Sequence, residues 1–321
     1  MPSNRRSSND RCLYGIGEWY GRSFIRLSGE ERRANADLQH IPKRQRPPIP
    51  CPPRSFEGMQ AICTKEGGVC SIRPYQEDVD TGLVTTVLGN EGQLCTTCPY
   101  RFYEQNMIVR WIGDTILGNP APSIVAEVGF LAREDTSDCA DTQVGREDVG
   151  RIDHVLIHPD RTFLRWCAVE MQAVYFSGAS MQTDFRALTT VSDDALPFPA
   201  GRRRPDFRSS GPKRLMPQLQ IKVPTLRRWG KKMCVVVNRA FFRSLGKMET
   251  VNDVSNCDIA WFVVRYDEDE AGTTLRPDFV HLTTLERAVE GLTAGNPVSL
   301  SIFEQRILHK ISRLLPGQPI E

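Results

Sequence analysis

Three polar residues set among the apolar runs of one stretch carry the chemistry that the rest of the chain must position: Asp153, Glu170 and Gln172, within Arg151 to Phe176. Val155, Leu156 and Ile157 form an aliphatic run, Pro159 and Asp160 mark a turn, and a second apolar run opens at Phe163. That order predicts a β-hairpin with both strands largely buried. Side chains alternate along a strand, so Glu170 and Gln172 share one face while Met171 packs on the other. A carboxylate in a core strand is costly unless it is paired or holds a cation. Two carboxylates brought together across a hairpin repel unless a divalent ion lies between them. Taken alone, the same residues also read as the polar side chains of an edge strand.

A second set of reactive groups lies upstream. Cys51 precedes Pro52, Cys63 and Cys70 flank Thr-Lys-Glu-Gly-Gly-Val, and Cys98 precedes Pro99. Glycines between two thiolates let the backbone turn tightly around an ion. Spacing also admits Cys95, through Cys95-Thr-Thr-Cys98, a closer match to common zinc knuckles. Four thiolates suit zinc or iron in a tetrahedral site; the alternative is a set of buried free cysteines, packed as small hydrophobes. Two basic groups complete the inventory. Lys43 and Arg44 precede a Pro-rich run, and Arg202, Arg203, Arg204, Arg208, Lys213 and Arg214 fall between residues 190 and 214. Pro and Gly in that second stretch predict a long surface loop, of the kind that is often functional. Arginine there suits phosphate contact or bidentate reading of guanine, and a solvated, solubilising face is the plainer alternative.

The elements that must hold these groups follow from composition and pattern. The chain has 321 residues, 40% of them hydrophobic, enough for a substantial core in one large domain or two smaller ones. A net charge of +2 excludes a histone-like general binder, so any nucleic-acid affinity rests on local patches. No apolar run is long enough to span a membrane, and the N-terminus lacks the apolar core of a signal peptide. A cytoplasmic protein is therefore expected, in which ten cysteines mean metal ligation or burial rather than disulfides. Residues 1–11 read as a disordered tail, Leu13 to Phe24 as a short helix or anchor, and 30–54 as loop. Phe102, Ile108, Val109, Ile112 and Ile116 recur at helical spacing before Gly118 and Pro120 stop the segment. Pro122 to Leu131 reads as a strand whose single acid, Glu127, is either an exposed edge residue or a third carboxylate beside Asp153 and Glu170. Residues 132–149 form an acidic loop, and Ser177 to Leu188 suggests a helix. Pro217 to Phe242 reads as helical after Pro224, with Leu226, Trp229, Met233, Val236 and Val237 as its core face. Cys257 to Tyr266 is a buried strand by its continuous apolar run. Leu282 to Leu292 and Leu300 to Leu314 read as closing helices.

An Asp, a turn and then Glu-x-Lys is the metal-binding core of the PD-(D/E)xK nucleases, which this hairpin resembles with Gln172 at the lysine position. Across nearly the whole chain, the order of features is similar to the NotI-type restriction endonucleases. The resemblance takes in Gly-Glu-Trp-Tyr-Gly-Arg near the start, Cys51-Pro, Gly-Val-Cys70, Cys98-Pro, Glu127, Ile-Asp153, Val-Glu170-Met-Gln172 and Ala-Trp-Phe-Val-Val-Arg-Tyr-Asp near the end. Glutamine in place of lysine is itself a mark of that family. The resemblance implies an α/β fold, a PD-(D/E)xK core with a mixed central sheet flanked by helices. It adds an N-terminal four-cysteine module over 12–99, a catalytic domain over 100–315 and a tail at 316–321. It implies that Asp153 and Glu170 bind catalytic Mg²⁺, with Gln172 and Glu127 assisting. It picks Cys98 over Cys95 as the fourth thiolate beside Cys51, Cys63 and Cys70, and iron where spacing admits zinc, in a structural role. Double-stranded DNA is the implied substrate, cut at a GC-rich palindrome by a homodimer, with a cognate DNA methyltransferase as functional partner. The alternatives are a structure-specific repair nuclease and a metal-stabilised DNA-binding protein with an inactive nuclease core.

Overall fold

A computed structural model describes residues 11–56, 58–132, 148–160, 162–191, 194–270, 272–293 and 298–311. The expected tails at 1–10 and 316–321, residues 312–314 of the last expected helix, and 133–147 of the expected acidic loop lie outside the described residues.

The chain opens as a strand, β1 (Arg11–Trp19), returned by β2 (Arg22–Ser23), where a short helix or anchor was expected. Tyr20 and Gly21, both at positive φ, make the tight turn between them. Because β1 becomes fully buried toward Trp19, its aromatic residues show no strand alternation. Helix α1 (Gly29–His40) takes the first part of the stretch expected to be loop over 30–54, and the remainder is turns and coil. Ser28 and Glu31 form a reciprocal capping box at its start, and its buried face carries Arg32, Ala36 and Gln39. An inward face that is mostly polar gives no apolar period to read. Strands β3 (Val69–Glu77), β4 (Val84–Thr86) and β5 (Cys95–Thr96) complete an antiparallel sheet in the order β2-β1-β3-β4, with β5 on β3.

Helix α2 (Met107–Ile112) continues as a wider turn to Leu117 and buries Ile108, Val109 and Ile112, matching the expected periodicity. The central sheet begins with β6 (Ser123–Ala132), β7 (Asp148–Ile157) and β8 (Trp166–Met171), successive antiparallel neighbours. The expected hairpin is β7-β8, although Phe163 and Leu164 are exposed in its connection and the second strand starts at Trp166. Next come a two-stranded ribbon, β9 (Tyr175–Gly178) with β10 (Arg203–Asp206), and helix α3 (Gln182–Leu188) between its strands.

The long loop expected over 190–214 is regular from Arg203 onward. Asp206 caps helix α4 (Phe207–Ser210), which runs on through 211–215 into α5 (Met216–Arg228). Pro212 and Pro217 sit near the starts of their segments, where a missing N–H matters least, and Pro224 lies inside α5. The helix expected to run to Phe242 stops at Arg228. Gly230 at φ 65° ends it, and Met233, Val236 and Val237 belong instead to the buried strand β11 (Met233–Asn238). Its β-branched run suits a strand covered on both faces. After α6 (Arg239–Ser244), β12 (Ile259–Asp269) follows the expected apolar run and pairs with β13 (Gly272–Thr283). Strand β13 is polar and carries no continuous apolar run, and it takes Leu282 from the helix expected there. Helices α7 (Leu285–Thr293) and α8 (Leu300–Ile311) close the described chain.

The central sheet has the order β13-β12-β11-β8-β7-β6, with β11 parallel to both β8 and β12 and the other pairs antiparallel. One face packs Ile152, Val155, Ala168, Val235 and Trp261 against Leu219, Val223 and Leu226 of α5. The other packs Leu156, Val169, Val236 and Phe262 against Ile108 and Ile112 of α2. The architecture is mixed α/β, a mixed sheet flanked by helices. The N-terminal sheet is bonded to it: Val174 N donates to Thr96 O at 2.7 Å, and Asn238 Nδ2 to Leu94 O at 2.7 Å. No helix among the described residues is long and apolar enough to cross a membrane.

Candidate active site

Register alone brings the two central carboxylates together. His154 of β7 pairs with Val169 of β8, so one step further Asp153 stands across from Glu170, and directly opposed residues share a face. Glu170 is 4% exposed at the end of β8, whereas the Asp153 side chain is 45% exposed and opens to solvent. Gln172 lies just beyond the strand, held by its backbone N–H donating to Val236 O at 2.9 Å. Its side-chain Nε2 donates to Ala173 O at 2.5 Å.

A residue that sequence reasoning missed completes the cluster. Lys222 of α5 donates from Nζ to Glu170 Oε2 at 2.7 Å, Gln218 Oε1 at 2.9 Å and Asp153 Oδ1 at 3.1 Å. The signal for it is periodicity: Leu215, Leu219, Val223 and Leu226 form an apolar helical stripe, and Lys222 falls within it, adjoining Val223 and one turn beyond Leu219. Burial pushes the Glu170 carboxyl up, to about 7, with Lys222 pulling it down and Asp153 pushing it further up. The Lys222 ammonium shows that this carboxylate pair accommodates a cation between its oxygens. A divalent ion fits the same donors, hard carboxylate oxygens at the end of a solvent-reached cleft.

Glu127 of β6 lies between the register pairs Ala126–His154 and Val128–Ile152, next to Asp153. Its carboxylate is 74% exposed and pairs with Arg151 at 3.3 Å, so it stands outside the Lys222 cluster rather than joining it. Its φ of 53° is left-handed, a strain of about 1–3 kcal/mol for a non-glycine residue.

The cleft beside the pair has a volume of about 590 Å³ and is lined by Asp153, Glu170 and Gln172 together with Lys65, Tyr175 and Arg214. The Arg214 guanidinium lies 3.8 Å from the centre of the Tyr175 ring. Lys65, from the turn between Cys63 and Cys70, donates to Thr97 O at 2.8 Å. Arg202, Arg204, Arg208 and Lys213 are exposed, as are Lys43 and Arg44 on the turn after α1. Arg203 is different and is withdrawn as a DNA contact. It is 5% exposed, pairs with Asp184, and donates to the carbonyls of Ala179, Tyr14 and Ser180. Its donors are spent inside the protein.

The four expected thiols are neighbours. Cys63 and Cys51 share a hydrogen bond that lowers the Cys63 thiol and raises that of Cys51. Burial pushes Cys70 and Cys98 up, and each feels the charge of another member of the set. Thr97 N and Cys98 N both donate to Cys70 O, at 2.9 and 3.1 Å. Gly67 and Gly68 take positive φ in the turn that leads into Cys70. Cys95 faces elsewhere, toward Asn238 and Tyr14. Among the described residues no three His, Cys, Asp or Glu side chains are drawn tightly enough together to enclose an ion. A soft donor set of four thiols fits zinc or iron by its chemistry.

Comparison with known proteins bears on this site. No curated protein sequence matches the chain. The family described as Restriction endonuclease NotI matches residues 37–276, a span that holds all four cysteines, Asp153, Glu170, Gln172 and Lys222. With a family match over most of its length, the chain belongs to the NotI restriction endonuclease family.

Proposed function

We propose that the protein is a Type II restriction endonuclease that hydrolyses phosphodiester bonds in both strands of DNA at a specific site, with Mg²⁺ as cofactor. Family membership makes it a restriction nuclease, and one observation carries the mechanism. Asp153 and Glu170, from adjacent strands, both accept from the Lys222 ammonium at the end of a cleft that also presents Lys65 and Arg214. In this reading the hairpin and the two parallel strands beside it are a PD-(D/E)xK core. Asp153 and Glu170 would hold Mg²⁺, which would supply an activated water and neutralise charge on the scissile phosphate and the leaving 3′ oxygen. Gln172, having no charge, orients its neighbours through hydrogen bonds alone. Lys65, Arg214 and the exposed cations of α4 and the following turn approach the DNA backbone.

Cys51, Cys63, Cys70 and Cys98 hold zinc or iron in a structural role, since a closed four-thiolate site leaves no position open for substrate. The target is a GC-rich palindrome read by a homodimer, and a cognate methyltransferase protects the host genome. The test is digestion of long, unmethylated viral or plasmid DNA with Mg²⁺, run beside Asp153→Ala and Glu170→Ala. Discrete fragments, lost in both variants while DNA binding is kept, are the expected outcome. A smear points instead to a non-specific or repair nuclease. Intact DNA that is merely retarded in a gel means a binding protein with an inactive core.

A further inference from the structure

Lys222 is 5% exposed and shares the inward face of α5 with Leu219 and Val223. Burying an ammonium among apolar side chains is costly unless acceptors surround it. Its acceptors are Glu170 Oε2, Gln218 Oε1 and Asp153 Oδ1, at 2.7, 2.9 and 3.1 Å. Packing against Val223 and Leu219 calls for no charge, whereas the carboxylate pair does. Meanwhile Gln172 has no charge, and its amide donates to Ala173 O at 2.5 Å.

We propose that Lys222 is the built-in cation of this centre: it occupies the divalent-cation position in the metal-free enzyme. On yielding the carboxylates it serves as the fixed ammonium beside the scissile phosphate, which Gln172 does not provide. The inference rests on the nuclease reading and deepens it. With both carboxyls ionised, the pair and one ammonium sum to one negative charge, which attracts a further cation. A divalent ion neutralises the pair and leaves nothing to hold Nζ there, while like charge drives it off. Gln218 then matters, because it is a neutral acceptor one turn before Lys222 on the same helix and is already bonded to Nζ. Lys222 leaves the carboxylates by turning its terminal torsions and keeps Gln218, with no movement of α5. An ammonium anchored there, at the wall of a cleft that receives a phosphodiester, stabilises charge that grows in the transition state.

The test is Lys222→Met, which keeps the aliphatic stem and removes the charge. The full chain, dialysed free of Mg²⁺, is titrated with Ca²⁺ by calorimetry in the absence of DNA. Cleavage of a long unmethylated DNA carrying a mapped target is then followed at saturating Mg²⁺. Removing the competing ammonium should tighten Ca²⁺ binding about tenfold or more, while kcat falls by on the order of 10² or more. Opposite signs are the signature, since a merely structural lysine would weaken both together. Ca²⁺ affinity that is unchanged or weaker overturns the inference, as does cleavage at the wild-type rate. Should Lys222→Met fail to fold by circular dichroism, Lys222→Gln carries the same two readouts. Asp153→Ala separates the two levels. If it binds Ca²⁺ and cuts as wild type does, the reading of Asp153 and Glu170 as the metal-holding catalytic pair falls, and with it the ground for the inference. If it loses both while Lys222→Met behaves as wild type, only the role of Lys222 falls.

Discussion

Arg101 Nε donates to Glu18 Oε1 at 2.8 Å, with the two side chains 1% and 0% exposed. Glu18 belongs to β1 of the N-terminal sheet. Arg101 precedes α2 and also donates through Nη2 to Thr273 O of β13, at 2.9 Å. Its guanidinium faces the Tyr266 ring as well. One buried ion pair therefore clamps the first sheet to the edge of the central one. Removing a single partner strands a charge, so Arg101→Ala should destabilise the protein by about 3–5 kcal/mol. The double variant Glu18→Gln with Arg101→Met leaves no fully buried orphan charge, only the part-exposed Glu104 that also pairs with Arg101 at 2.8 Å, and should recover much of that loss. Urea denaturation of the two single variants and the double decides it, and a double variant no better than the singles would refute the clamp.

Arg203 and Arg214 carry the same charge eleven positions apart, yet their surroundings separate their roles. Arg203→Ala should lower the melting temperature, because it strands Asp184 and three carbonyls in the interior. Arg214 is exposed against Tyr175 at the cleft. Arg214→Ala should leave the melting temperature alone and weaken DNA binding, reducing the slope of log affinity against log salt by about 1. Fluorescence anisotropy across a salt series measures that slope. A salt slope that stays the same would remove Arg214 from the phosphate contacts.

The thiol neighbourhood predicts which cysteines matter. Cys63→Ser and Cys98→Ser should lose bound zinc or iron in elemental analysis, whereas Cys95→Ser should keep it, because Cys95 turns toward Asn238. Chelation should also expose the 49–63 segment, which is tied at its ends by the Pro50–Ile62 bridge and the Cys63 N to Ile49 O bond, to limited proteolysis. Equal metal content in all three variants would end the four-thiolate proposal.

What was legible in the sequence follows the range of the interactions concerned. Asp153, a turn and Glu170 sit on one hairpin, so apolar patterning sufficed to find the hairpin and strand alternation to put Glu170 and Gln172 on one face, while the register then set Asp153 across from Glu170. The apolar run of β12 and the spacing of Ile108, Val109 and Ile112 on α2 were equally local. Lys222 was not legible because Pro217 and Pro224 masked the helix that carries it. Its bond to Glu170 also spans 52 residues of sequence. Arg203 shows the converse, since a run of three arginines gives no sign that the middle one turns inward to Asp184. Helix α1 escaped because Arg32 and Gln39, rather than apolar residues, face the interior.

The last prediction concerns acidity at the carboxylate pair when Mg²⁺ is absent. Burial first, and Asp153 second, hold the Glu170 carboxyl up at about 7, against 4.5 for a free glutamate, with Lys222 opposing. Between those values the native protein binds a proton that the unfolded chain has released. Stability must therefore fall as pH rises through that window: the contribution is complete below 4.5 and gone above 7. The slope approaches about 1.4 kcal/mol per pH unit for a single proton. Urea denaturation from pH 5 to 8, without divalent ions, should show this decline in the wild type and a flatter course in Glu170→Gln. Added Ca²⁺ should flatten the wild-type curve too, because a cation held by the ionised pair favours the form that burial penalises. An identical slope in wild type and Glu170→Gln would mean that the buried carboxylate is not the group taking up the proton.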